Sequence, residues 1–240
     1  MAFKQFSLDE STTVNIYKRK ANRNIRLTIS GSGEIRVSIP AWAPYSSGLR
    51  FARSRLDWIK AQDFNETTLY EGFAVGKAHR LKFTVDDNKT KVSSRLIGGE
   101  VVVSYPITLS SDNVEVQKVA KSACIRALRR QAEQLLPQRL ADLAIEHNFK
   151  YKSVAIKLLK SRWGSCDAQK HIVLNLYLMQ LPWEYIDYVL VHELVHTEVL
   201  RHGPDFWAVM GSTLPNAKQL RQQMKAYHPV LRSSQNEPVA

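Results

Sequence analysis

Five consecutive residues carry the strongest chemical signal in this chain: His192-Glu193-Leu194-Val195-His196. They lie inside an apolar helical pattern made by Ile186, Val189, Leu190, Leu194 and Val195. Histidines four apart on an α-helix project from one face, one above the other. Two imidazoles so placed can reach one Zn²⁺ at about 2.0–2.1 Å each. Glu193 lies about 100° round the helix from His192. A glutamate there is not a ligand; it faces the metal-bound water and acts as general base. Three ionisable groups left unpaired on a buried helix would be costly, and a cation removes that cost.

A metal site needs further ligands, and His202 follows His196 by six residues. A straight helix would carry it about 9 Å further along the axis, out of reach. The chain must therefore turn between Thr197 and His202. His202-Gly203-Pro204 supplies the break, since Gly203 accepts unusual φ and Pro204 cannot continue a helix. Glu198 and Asp205 are the rival third ligands. Three protein ligands leave one position for water, which marks a catalytic rather than a structural zinc.

The elements that must hold this motif can be read from periodicity. Short runs rich in Val, Ile and Thr at 13–17, 24–29 and 35–39 predict strands, with Ser30-Gly31-Ser32-Gly33 as a hairpin-type turn. Leu49, Ala52, Leu56 and Ile59 share one face of a helix predicted over 46–64. Two more strands are predicted at 81–85 and 101–105. Ser111-Asp112-Asn113 offers a helix cap, and the pattern runs on to about His147 with a kink at Pro137. Strands are predicted at 153–159 and 171–175. Helices follow from Pro182 to about Leu200 and from Pro204 to Tyr227. The expected fold class is α+β. Its parts are a β-rich N-terminal region over 1–110, a catalytic domain over 111–232 and a flexible tail over 233–240.

Composition narrows the function classes. The chain has 240 residues, 44% of them hydrophobic and 23% charged, enough apolar mass for a core. Two cysteines, Cys124 and Cys166, make no disulfide framework, which suits a reducing compartment. Residues 1–14 lack a secretory signal pattern, and no stretch approaches 18 apolar residues. A cytoplasmic protein without membrane contact is the expectation. Net charge is +12, and residues 1–60 hold eleven bases against four acids. Such a field favours polyanions or acidic surfaces as partners. The same excess would also serve as a plain solubilising surface.

Beyond the histidine motif, a wider set of residues forms a pattern. Ser161-Arg162-Trp163-Gly164-Ser165-Cys166, Val173-Leu174-Asn175, Pro182, Ile186-Asp187-Tyr188, His192 to His196, His202 and Phe206-Trp207 resemble the YgjP-like family of zinc metallohydrolases. That family is similar to the SprT-like and minigluzincin metallopeptidases. The resemblance is strongest over 150–230. It implies a zincin-like catalytic domain, zinc on His192, His196 and His202, and general-base work for Glu193. Metzincins share the ten-residue spacing from first to third histidine. They carry glycine three residues after the second histidine, where this chain has Val199, so that class is not assigned.

The other motif residues have physical readings of their own. An extended substrate would lie beside an edge strand, which 154–159 or 171–175 could provide. Arg162 and Trp163 could contact substrate, although core packing is the plainer role for Trp163. Gly164 is expected to make a turn. Cys166 is either a small buried hydrophobe or a thiolate able to reach the metal. Asn175 is expected to fix a loop through its side chain, and Phe206 and Trp207 to pack beneath the site. Asp187 is a surface carboxylate or a partner to the site. Arg162, Tyr177 and Tyr185 are the candidates for stabilising a developing oxyanion. His79, His147, His171 and His228 have no ligand-like spacing.

Three functions are therefore in play. The first is a zinc-dependent metallopeptidase acting on protein or peptide through Glu-assisted attack of metal-bound water. The second, brought by the resemblance, is a zinc-dependent UTP pyrophosphatase; the chain has no Gly-rich phosphate loop and no second carboxylate cluster for Mg²⁺. The third is a DNA-associated protein-processing module. Its basic N-terminal region, with Tyr17, Trp42, Tyr45 and Phe51, would contact nucleic acid.

Overall fold

Alternation of buried and exposed side chains sets the first sheet. The structure, a computed structural model, describes residues 3–9, 12–29, 34–56, 59 and 68–231. Strands β1 (Phe3–Ser7), β2 (Thr13–Arg19), β3 (Arg26–Ile29) and β4 (Ile35–Pro40) form one sheet in the order β1-β2-β4-β3. The central pair, β2 and β4, is parallel, and both outer pairs are antiparallel. Val14, Ile16, Ile35, Val37 and Ile39 point to one face and are buried there. Helix α1 (Tyr45–Arg53) covers that face. A Cβ on Gly48 would stand 3.0 Å from Ile39 Cγ2, so the missing side chain lets α1 approach the sheet. The expected turn at 30–33 lies outside the described residues, as does much of the expected helix beyond Leu56. Sequence periodicity did not reveal β1.

The chain divides into two compact units, residues 1–67 and 68–240. The boundary expected from sequence stood at 110–111. The next four strands move to the second unit because their apolar residues share a core with the helix that follows them. They are β5 (Ala74–Val75), β6 (His79–Val85), β7 (Ser93–Ile97) and β8 (Glu100–Tyr105), in the order β5-β6-β8-β7. Their partner is α2 (Val114–Glu146), capped by the Asn113 side chain, which accepts from Glu115 N–H at 2.9 Å. The helix continues through Pro137. Leu136 and Leu140 are fully buried on either side, and that packing outweighs one lost hydrogen bond.

The remaining elements build the region around the histidines. Strands β9 (Ser153–Lys157), β10 (Gly164–Cys166) and β11 (His171–Asn175) form a sheet in the order β10-β11-β9. Strand β11 runs parallel to β9 and antiparallel to β10. A short 3₁₀ helix, Leu176–Gln180, leads to α3 (Trp183–Val195), α4 (Pro204–Thr213) and α5 (Ala217–Gln223). Two expected helices are shorter than their patterns. The helix predicted to reach Leu200 stops at Val195. The helix predicted from 204 to 227 breaks at Leu214, which precedes Pro215 and is extended at φ −134° and ψ 93°. Proline bars the α conformation for the residue before it, a signal present in the sequence. No helix among the described residues is long and apolar enough to cross a membrane.

Candidate metal centre

Helix α3 is buried almost all round. Pro182 caps its start, and Ile186, Val189, Leu190, Leu194 and Val195 pack into the core of the second unit. This burial fixes the rotation of the helix and so the direction of its polar stripe. His192 leaves the stripe from the last turn, and His196 is the residue at which helical geometry ends. The chain then tightens: Thr197 N–H and Oγ–H both donate to Leu194 O, at 2.9 and 2.7 Å. Val199 N–H still reaches Val195 O, after which the chain leaves the axis and turns back. Gly203 N–H bonds to Arg201 O at 2.7 Å, closing the turn that the sequence required before Pro204.

The turn returns His202 to the stripe. Its Nε2 lies 2.9 Å from His192 Nε2 and 3.0 Å from His196 Nε2. Ligating atoms of His192, His196 and His202 all lie within 4.8 Å of one another. Glu198 and Asp205, the rival third ligands, are not in that group. His196 Nδ1 sits 3.0 Å from Val199 O. A carbonyl only accepts, so Nδ1 carries the proton and Nε2 presents its lone pair to the cluster. Burial, followed by the neighbouring His196, His202 and Arg221, pushes the His192 imidazole down to about 3. Burial also lowers that of His196. Both rings are therefore neutral at pH 7, the form that ligates metal.

Three imidazole nitrogens converge on one point, and a cation among them would take up their lone pairs. Nitrogens bound to one tetrahedral zinc at about 2.0–2.1 Å stand about 3.3 Å apart. The two separations from His202, 2.9 and 3.0 Å, are near that, and the donor set of three imidazoles suits zinc. The residues present therefore fit a bound metal ion.

Aromatic rings wall the cluster. Phe206, fully buried on α4, places its ring centroid 4.6–4.9 Å from all three imidazoles. Trp207 stacks on His202 at 6.2 Å with planes 26° apart, and the Arg221 guanidinium from α5 lies 4.4 Å from its ring. Phe206 and Trp207 thus sit where sequence placed them. Tyr188, one turn before His192, has its ring 6.0 Å from it. Tyr188 entered the sequence reading only as part of the wider pattern, with no role of its own, although it shares the 188-192 helical stripe; Arg221 escaped it, coming from another helix with no local signal.

Glu193 is 5% exposed, and its Oε2 has no hydrogen-bond partner. Burial pushes its carboxyl up to about 8, opposed by the charge of Arg162. Strand β10 lies directly against it: a Cβ on Gly164 would stand 2.6 Å from Glu193 Oε1. Gly164 therefore sits in a strand beside the carboxylate, not in the expected turn. Asn175 is fully buried and fixes the loop before β10, donating to Leu159 O and Arg162 O at 2.8 Å each. Trp163 packs against the core. Asp187 faces away from the cluster in a bidentate pair with Arg139 of α2, at 2.8 and 2.7 Å. Cys166 is half-buried, and burial, then Glu193 and Asp167, push its thiol up to about 11. In the metal-free chain it is a neutral thiol at pH 7, and its sulfur is not among the atoms that converge with the three histidines.

The profile of the "YgjP-like, metallopeptidase domain" family matches residues 23–227. The chain belongs to the YgjP-like metallopeptidase family. No curated protein matches it. Among solved structures, the metallopeptidase zymogen abylysin of Pyrococcus abyssi aligns at 23% identity, covering 38% of this chain and 93% of that one, with a TM-score of 0.34.

Proposed function

We propose that this metallopeptidase is zinc-dependent and zincin-like, with His192, His196 and His202 holding the ion and Glu193 acting as general base. The observation that carries this is the meeting of three imidazole Nε2 atoms beside a buried, unpartnered carboxylate. The ion, when bound, supplies a Lewis acid that polarises water and the scissile carbonyl. Glu193 takes the proton of the attacking water at a carboxylate oxygen. That role needs the ionised carboxylate: burial raises its carboxyl in the metal-free chain, and the charge of Arg162, joined by that of a bound cation, acts against that shift. Tyr177 and Tyr185 are buried, whereas Arg162 is exposed and its charge acts on Glu193. Arg162 is therefore the preferred group for a developing oxyanion.

The substrate edge differs from the two strands expected. Strand β11 is central in its sheet, so its edges are taken. Strand β9 is an edge, but the Arg129 guanidinium bonds to its Ile156 O at 3.4 Å. Strand β10 is the edge beside Glu193. Trp163 O and Asp167 N–H pair with β11, so by ladder alternation the backbone groups of Gly164 and Cys166 face away from it. Those groups offer an extended peptide a short ladder, and no strand among the described residues lies beyond them.

Glu193→Gln should keep one metal per chain by elemental analysis while hydrolysis of an unstructured protein such as casein falls by about 10²–10⁴-fold. Zinc lost with the substitution, or hydrolysis retained, refutes the assignment. UTP assayed beside casein separates the two substrate classes, and pyrophosphate release without peptide cleavage would replace this reading. A nucleic-acid partner for the N-terminal unit is a further proposal, supported by Trp42, 81% exposed, in a strongly basic segment. Salt-dependent oligonucleotide binding, weakened by Trp42→Ala, tests it.

A further inference from the structure

The glycines of the second unit fall into different physical kinds. Gly72 and Gly98 have φ of +79° and +56° with nothing within 4 Å of a built Cβ. They serve backbone conformation. Gly164 is the reverse: its φ is outside the left-handed region, and its backbone is ordinary strand that any residue adopts. What it lacks is room. A Cβ there would stand 2.6 Å from Glu193 Oε1, 2.8 Å from Cγ and 2.9 Å from Cδ. Real Cβ atoms do not approach heavy atoms so closely, and the contact runs along the side chain from Cγ to the carboxylate. Glu193 cannot easily retreat, because it is buried on a helix that is itself packed on nearly every side.

We infer that Gly164 is a positioning residue for Glu193: β10 omits a side chain there so that the carboxylate lies flat against its backbone. The inference about position stands on sterics alone; its catalytic consequence rests on the proposed role of Glu193. A methyl at 164 drives the carboxylate off the strand and leaves the three histidines, which approach the cluster from α3 and the following turn, where they are. The chain would then hold metal and hydrolyse poorly.

A double-mutant cycle in the full chain tests this. Gly164→Ala should lower the thermal midpoint by about 5 °C, the effect of overpacking a filled site in a domain of this size. In a Glu193→Ala background the same change should cost less than about 1 °C, because the carboxylate it would strike is gone. Should Gly164→Ala alone fail to fold, recovery of folding in the Glu193→Ala background is the same coupling. On casein or an unstructured peptide, Gly164→Ala should lower kcat about a hundredfold with KM and metal content unchanged. Equal penalties in both backgrounds overturn the inference, as does undiminished kcat. Coupled stabilities in a wild-type chain that cleaves no peptide would uphold the steric seat and refute the peptidase reading instead.

Discussion

Helices α2 and α3 both bury polar side chains, and they treat them in opposite ways. On α2, Gln131 accepts from Lys77 N–H at 2.7 Å and Ala78 N–H at 3.2 Å, and donates to Val75 O and His79 Nδ1 at 2.8 and 2.7 Å. Gln117 does likewise, accepting from Leu69 N–H and donating to Leu69 O and Ser111 O. These amides are saturated, neutral and tied to backbone. On α3, His192 Nδ1 and Glu193 Oε2 are equally buried and have no partner. A buried polar group without a partner costs about 1–3 kcal/mol, more when charged. A fold that saturates two glutamines on one helix is able to pair such groups. An open Glu193 Oε2 beside three converging imidazoles is what the proposed general-base role requires.

The comparison breaks first at the histidines. His202→Ala removes a cluster member whose position depends on a turn, not on the helix. Metal affinity, read by competition with a chromophoric chelator, should fall by more than about a hundredfold, beyond the loss typical of groups that only support a ligand. Unchanged affinity would mean that the three rings do not act together. The α2 side should respond in the other currency. Gln131→Leu strands two backbone N–H groups and a carbonyl, and should cost about 2–4 kcal/mol in denaturant unfolding with metal uptake intact. Metal loss in that variant would show that the two helices are not separable in role.

The part of this contrast visible in sequence was the part set by local spacing. His192 and His196 share a stripe by helical geometry alone, and Gly203-Pro204 announced the turn that returns His202. Asn175 was readable as a loop pin because amide side chains do that work near turns. What stayed hidden depends on contacts across the fold. Strand β10 has three residues, too few for any periodicity, and its glycine reads as a turn until the neighbouring helix is in place. The division between residues 67 and 68 stayed hidden for the same reason. Residues 81–105 look like a continuation of the N-terminal strands, yet Leu81, Val101 and Val103 bury their side chains in the core built around α2. Pro215 was a local signal that the helical pattern of 204–227 overrode, wrongly.

The last expected effect sharpens the contrast most directly, because the open buried groups of α3 titrate and the buried glutamines of α2 do not. Glutamines do not titrate, so Gln117 and Gln131 take up no proton of their own. Glu193 has its carboxyl raised to about 8 in the folded chain against 4.5 as the ordinary value, chiefly by burial. Between those values the unfolded chain sheds its proton while the folded chain keeps it. Stability from this group is therefore full below about 4.5 and declines as pH rises through about 8. His192 runs the other way: lowered to about 3 from 6.5, it makes the chain lose stability as pH falls below about 6.5. In chelator-treated protein, Glu193→Gln removes the first dependence and leaves the second. The stability of the variant minus that of the wild type should thus rise by about 2–4 kcal/mol from pH 4.5 to pH 8, measured by urea unfolding. The same subtraction for Gln117→Leu, whose amide bonds only to the backbone of Leu69 and Ser111, should stay flat across that range. A flat difference for Glu193→Gln would mean that its carboxylate finds a partner in solution, and that α3 is saturated after all.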